Sequence, residues 1–310
     1  MSKLLIEASI PVQASLSNVF DAVADFHRRA AWSPWLCAEP DAKVTISEDG
    51  CSVGATYVWE GEVIGAGDLQ RVEVDQNRIL KERLRIRKPF PSQSDITFTF
   101  EPQGEGALVT WRMDGSWPWF LFFMKAQIQT VIWMDFQRGL KMLKDYVETG
   151  EVHSSSSIPG IRSNPRMQVV GIRRKVPYEQ INQIMSELYS RLPEEFARAG
   201  LPTEDHPVAV YHEFNMKERI FDLTAGFIVS EIPASVPAPL SQCTIPAGKT
   251  FNVEHAGSYR HLGNGWFTMM FHARHRKLKQ CSSGAFELYL SSGENQPDSE
   301  IRTLICMPLR

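Results

Sequence analysis

Two glutamates stand where strand alternation would aim a carboxylate at an apolar face. In RILKERLRIR, residues 78–87, alternation puts Leu80, Glu82, Leu84 and Ile86 on one side and Lys81, Arg83, Arg85 and Arg87 on the other. A carboxyl group among apolar neighbours is driven toward its neutral form unless a cation pairs with it. That suits acid–base chemistry or a polar anchor for a ligand. The plainer alternatives set Glu82 at a wet cavity mouth or against a cation elsewhere in the chain. In FELYL, residues 286–290, Glu287 and Tyr289 project together, with Glu287 either a ligand anchor or a group that bonds backbone at a strand edge.

Aromatic residues crowd the first half, which holds Trp32, Trp35, Trp59, Trp111, Trp117, Trp119 and Trp133, seven of the eight tryptophans. Tyr57 shares a face with Trp59, and Val109 and Met113 share one with Trp111. Such rings either line a pocket for a flat apolar ligand or fill a core. The histidines make a poorer case for chemistry. His272 and His275 lie one helical turn apart, but no third ligand accompanies them, and Arg274, Arg276 and Lys277 oppose a divalent cation, so a solvated helix face is expected. No cofactor or metal is expected. No G-x-S-x-G or phosphate loop occurs, and the single G-x-G of VIGAGDL sits between strands.

Two bodies must position these groups. A length of 310 residues fits two domains of about 150 residues each. The break falls at ETGEVHSSSSIPGIRSNPR, where serines, prolines and glycine interrupt any periodicity. The expected division is a first domain over 1–150, a linker over 151–165 and a second domain over 166–310. The net charge of −3 argues against a nucleic-acid binder, and five scattered cysteines argue for a reducing compartment. Residues 117–134 are the most membrane-like, yet Lys125, Gln127 and Gln129 interrupt them, so a long helix from about Phe120 to Glu148 is expected rather than a span. A cytoplasmic protein is expected.

The first half reads as a strand, a helix capped by Ser15 or Ser17, six further strands and that closing helix. The second half contains a duplication. MQVVGIRRKVPY, EQINQIMSELYSRLPEEFARAG, PVAVYHEF and IFDLTAGFIVS run strand, helix, strand, strand. GKTFNVEHAGSY, NGWFTMMFHARHRKLKQC, GAFELYLSS and EIRTLICMPL repeat that order. Superposing the units makes Tyr211 the counterpart of Tyr289, and Ala209 that of Glu287. Two such tyrosines facing a groove would clamp a planar or cationic ligand, or else pack against the helices.

Residues 3–148 resemble the START-like, polyketide-cyclase-type superfamily. VFDAVADFHRRAAWSPW, YVWEGEVIGAGDL, ALVTWRMDG and FQRGLKMLKDYVE carry the likeness. The resemblance implies an α+β helix-grip fold, an antiparallel sheet around a long C-terminal helix with a hydrophobic cavity between them. Residues 166–310 resemble the GyrI-like, or AraC-type effector-binding, domain through VEHAGSY, FELYL and the closing ICMPL. That implies a ligand groove between the two strand–helix–strand–strand units, with His255 at its rim, as a donor to a ligand or as a cap on the turn.

The resemblance also implies acidic residues at two groove positions, which are Leu304 and Thr224 here. The expected reading is a binding protein with two hydrophobic ligand modules, a sensor or carrier of neutral or apolar compounds. Its expected partner is a small hydrophobic molecule, without direct nucleic-acid contact. The expected contact residues are Trp59, Glu82, Trp111, Tyr211, Thr224, His255, Tyr259, Trp266, Glu287, Tyr289 and Leu304. The alternative is a hydrolase or cyclase in which Glu287 or Glu82 serves as acid or base.

Overall fold

The structure is a computed structural model that describes residues 2–117, 123–202, 207–231, 235–291 and 296–310. Trp119, the side chain of Trp117 and the first residues of the helix expected from Phe120 lie outside the described residues. The chain divides into two compact units at Val152–His153, each α+β with one antiparallel sheet.

In the first unit, β1 (Ser2–Val12) leads into α1 (Leu16–Ala24), whose Ser15 hydroxyl accepts the Asn18 N–H at 3.3 Å and so caps the exposed end. Val19, Phe20 and Val23 are buried, as the 3–4 spacing requires. Asp25 ends α1 and caps α2 (Phe26–Trp32), a turn that carries Arg29 and Trp32 inward. The strands β2 (Lys43–Ile46), β3 (Thr56–Glu60), β4 (Ala66–Asp75), β5 (Ile79–Lys88), β6 (Ser92–Gln103) and β7 (Gly106–Trp117) follow as a meander. β1 then pairs with β7 to give the order β1-β7-β6-β5-β4-β3-β2. The closing helix α3 (Lys125–Thr149) stops at Gly150, whose left-handed φ of 87° suits a residue without a Cβ.

The second unit contains β8 (Ser154–Asn164), β9 (Met167–Pro177), α4 (Ile181–Arg198), β10 (Pro207–Asn215) and β11 (Ile220–Val229). It continues with β12 (Leu240–Ile245), β13 (Gly248–Gly257), α5 (Leu262–His275), β14 (Ala285–Tyr289) and β15 (Arg302–Pro308). The sheet order is β12-β9-β11-β10-β14-β15-β13-β8. β9-β11-β10 on one side is thus answered by β13-β15-β14 on the other. At the centre Val208 pairs with Leu288, Ala209 with Glu287 and Val210 with Phe286. The pseudo-twofold axis of the duplication therefore passes between Ala209 and Glu287.

Both helices pack on one face of this sheet. α4 buries Ile184, Leu188, Leu192 and Phe196 against Val170, Ile172, Leu223 and Ala225. α5 sets Met269 and Ala273 against Phe251, Val253, Ile305 and Met307. The opposite face has its own apolar cluster, with Val169, Val208, Val210, Phe286 and Cys306 at its heart and Leu288 and Leu304 packed against it.

Three sequence expectations need correction. Residues 151–165 are not a structureless linker, because Ser154–Asn164 pair with β13 at the sheet's edge. An edge strand tolerates Pro159, and Gly160 (φ 83°) lies at the irregularity in that ladder. The expected helix over 264–281 stops at His275, and Gln280 bridges to Leu309 instead. β12 has no counterpart in the expected element order. The terminal segment is an interior strand, with β15 between β14 and β13. No helix among the described residues is long and apolar enough to cross a membrane.

Candidate functional site

Glu287 is buried on the helix-bearing face of the second unit's sheet, and three side chains donate to it. The Tyr289 hydroxyl donates to Oε2 at 2.6 Å, and the Tyr211 hydroxyl donates to Oε1 at 3.1 Å. The Trp266 indole N–H donates to Oε1 as well. Tyr211 and Tyr289 are the pair related by the duplication, so one carboxylate beside the axis takes both hydroxyls. Its own counterpart, Ala209, contributes none.

Each partner arrives by a definite route. Alternation from Glu287 puts Tyr289 on the same face, and alternation from Ala209 does the same for Tyr211. Trp266 descends from the first half of α5, and Tyr189 from α4. The Tyr189 ring meets Tyr289 edge-on at 5.5 Å, and its hydroxyl is tied to the Val208 carbonyl at 2.8 Å. Tyr259 meets the same Tyr289 at 5.5 Å, and Trp266 meets Tyr211 at 5.1 Å. Phe221 closes on Tyr211 and Phe227 on Tyr189. The result is a carboxylate walled by aromatic rings between two helices.

Burial raises the Glu287 pKa above the ordinary carboxylate value, and the Tyr289, Trp266 and Tyr211 donors oppose that rise. The Tyr211 and Tyr289 hydroxyls are raised well above theirs, first by burial and then by the Glu287 charge. These tyrosines are donors, not nucleophiles. The site can accept hydrogen bonds, attract positive charge and stack on a flat ring.

His255 is completely buried in β13, not at an open rim, and its ring nitrogens have no hydrogen-bond partner within bonding geometry. Burial lowers its pKa to about 4, with the Ser258 backbone opposing and His261 and Arg302 adding to the fall. Thr303 pairs with it across the ladder and is also buried. Tyr259 is two-fifths exposed.

Thr224 and Leu304 are equivalent under the duplication, since Val210 pairs with Thr224 as Leu288 pairs with Leu304. Their registers set them on the face opposite Glu287, however. Leu304 packs with the cluster around Val208 and Phe286, and the Thr224 hydroxyl lies 2.8 Å from His212 Nε2. Neither side chain lies on the sheet face that carries Glu287.

In the first unit Glu82 does face inward, but as an ion pair. Arg29 Nη2 donates to Oε1 at 2.5 Å, and Arg71 Nη2 lies 3.3 Å from the same oxygen. All three residues are 3% exposed or less. Of the alternatives open from the sequence, the paired cation is the one observed, and there are two. Trp111 is core: it stacks on Phe136 at 4.2 Å, with Trp32, Trp35 and Phe98 around it. Trp59 is half-buried beside Tyr57 and lies over Gly67, where a Cβ would collide with its ring. The structure therefore brings together Tyr211, Tyr259, Trp266, Glu287 and Tyr289, with His255 on the same sheet face. It leaves Trp59, Glu82 and Trp111 in the other unit, and Thr224 and Leu304 on the far face.

Sequence reasoning missed Tyr189, Arg29 and Arg71. Arg71 was legible through its alternation with Leu69. Among the described residues no three His, Cys, Asp or Glu side chains converge as a metal site.

Comparison with known families divides the chain in the same manner. Residues 3–148 match the polyketide cyclase/dehydrase and lipid transport family, and residues 159–310 match the GyrI-like small molecule binding domain. No curated protein matches the chain. Protein CV1439 from Chromobacterium violaceum is similar at 19% identity, over 46% of this chain and 96% of its own, with a TM-score of 0.37. The EcmrR C-terminal domain is similar at 20% identity, over 51% of this chain and 98% of its own, with a TM-score of 0.42. The Aha1 dimer from Colwellia psychrerythraea is similar at 20% identity, over 47% and 98%, with a TM-score of 0.35. The chain thus joins a domain of the polyketide cyclase/dehydrase and lipid transport family to a GyrI-like small-molecule-binding domain.

Proposed function

We propose that the chain is a sensor or carrier with two ligand modules, and that the Glu287 box of the second module is a recognition site. The observation that carries this reading is the convergence of Tyr211, Tyr289 and Trp266 on one buried carboxylate. A buried carboxylate surrounded by rings favours a flat ligand with a cationic or hydrogen-bond-donating group. The expectation of a neutral, apolar ligand rested on Leu304. It is not carried over for this module, because Leu304 belongs to the opposite face. In the first module, α3 and its antiparallel sheet act as a helix-grip ligand holder.

A hydrolase reading retains one supporting observation, the raised pKa of Glu287, which suits a general acid or base. Glu82 offers no such support, since it is closed in a buried ion pair with Arg29 and Arg71. Native mass spectrometry of freshly purified protein tests the reading. The expected result is a co-purifying small molecule, or a one-to-one adduct after addition of N-methylacridinium, a flat cation. A bare chain under both conditions would overturn it in favour of a scaffold.

A further inference from the structure

The first unit buries two guanidinium groups against one carboxylate. Arg29 on α2 and Arg71 on β4 share Glu82 Oε1, which leaves one positive charge in excess in the interior. Among the described residues no carboxylate other than Glu82 forms an ion pair with either guanidinium. The Arg29 guanidinium lies over Trp32 at 4.7 Å, Phe98 at 5.3 Å and Phe26 at 5.5 Å, and that of Arg71 over Phe26 at 4.6 Å. The rings temper the charge through their faces but accept no conventional hydrogen bond.

The hydrogen-bond inventory is also incomplete here. Arg71 Nη2 donates to the Ala24 carbonyl at 2.8 Å, yet Arg71 Nε and Nη1 and Arg29 Nε are buried without partners. Among the described residues, Glu82 Oε2 is the one unpartnered acceptor beside them. Three open donors against one open acceptor repeat the charge excess in hydrogen-bond terms. Burial holds the Arg71 pKa below its ordinary value, Glu82 opposes this, and Arg29 adds to it. An uncompensated buried charge and unmet buried donors both favour the arrival of an anion.

We propose that the Arg29–Arg71 pair in the interior of the first unit binds the carboxylate of a flat organic acid, with Phe26, Trp32, Tyr57 and Phe98 around it. The proposal deepens the reading of this unit as a ligand holder and rests on it. Glu82 then acts as a positioning residue, which holds both guanidinium groups while neutralising only one. The ligand class is anionic, the opposite of that favoured at Glu287.

The test is calorimetric titration of the full chain with 2-naphthoate and with 2-naphthamide, a neutral molecule of nearly the same shape. The expected result is at least tenfold tighter binding of the acid. In Arg71→Met, which leaves a balanced Arg29–Glu82 pair, that preference should vanish. In Glu82→Gln, which removes the competing anion, the naphthoate affinity should rise several-fold. Equal affinity of acid and amide for the unaltered chain would overturn the anion site while leaving the ligand-holder reading in place. Failure of both compounds to bind would overturn the two together. An acid preference that survives Arg71→Met would also sink the proposal, by placing the anion elsewhere.

Discussion

Ala209 and Glu287 face each other across the β10–β14 ladder, at the pseudo-twofold axis of the second unit. The duplicated architecture therefore delivers two equivalent tyrosines to one inequivalent carboxylate. Symmetry supplies the walls of the site, and the departure from symmetry supplies its charge.

Restoring the symmetry should be costly. Ala209→Glu would set a second carboxylate directly opposite Glu287, and two buried carboxylates at that spacing cannot both ionise cheaply. The expected loss is about 3 kcal/mol or more at neutral pH, smaller in acid where one group takes a proton. Denaturant unfolding at two pH values measures it. A variant as stable as the parent at neutral pH would show that the axis is open to water.

Stability should depend on pH through His255 and Glu287 with opposite signs. His255 falls from an ordinary 6.5 to about 4 in the folded chain, so the unfolded chain takes up its proton first. Its contribution is present above pH 6.5 and is lost as pH falls toward 4, an amplitude of about 3 kcal/mol. Glu287 is raised above its ordinary 4.5, so its protonated form favours folding, and its contribution is lost as pH rises beyond that value. His255→Gln should flatten the acid limb, and Glu287→Gln should flatten the decline above 4.5. Unfolding free energies across that range decide both. Parallel curves for parent and variants would contradict the assignments.

Trp111 should behave as core rather than as cavity lining. It is 2% exposed and stacks on Phe136 at 9° between planes, while Gly139 leaves room for its ring edge. Trp111→Ala is expected to cost about 3–5 kcal/mol, measured by chemical denaturation. A cost below about 1 kcal/mol would mean that the ring borders open space.

Strand alternation made some of this legible and left the rest hidden. The inward aim of Glu82 follows from Leu80, Leu84 and Ile86, but its partners come from a separate helix and strand, so pairing depended on tertiary contact. The duplication correctly matched Tyr211 with Tyr289 and Leu304 with Thr224. It did not fix which face each pair takes, because a one-residue difference in register moves a side chain through the sheet. Leu304 stands opposite Leu288, not Glu287, and that parity puts it on the face opposite the carboxylate. Four consecutive serines resemble a linker by composition. They become a strand because the free edge of β13 offers a ladder to them. Tyr189 carried no signal beyond its place next to a core leucine on a helix.

On the proposed reading, Glu287 rather than Leu304 sets the charge preference of the second module. Titration with N-methylacridinium and with neutral acridine, followed by tryptophan emission at mildly alkaline pH, tests it most directly. The parent should prefer the cation, Glu287→Gln should lose this preference by tenfold or more, and Leu304→Ala should keep it within twofold. Equal binding of cation and neutral ring by the parent, or a preference removed by Leu304→Ala and kept by Glu287→Gln, would contradict it.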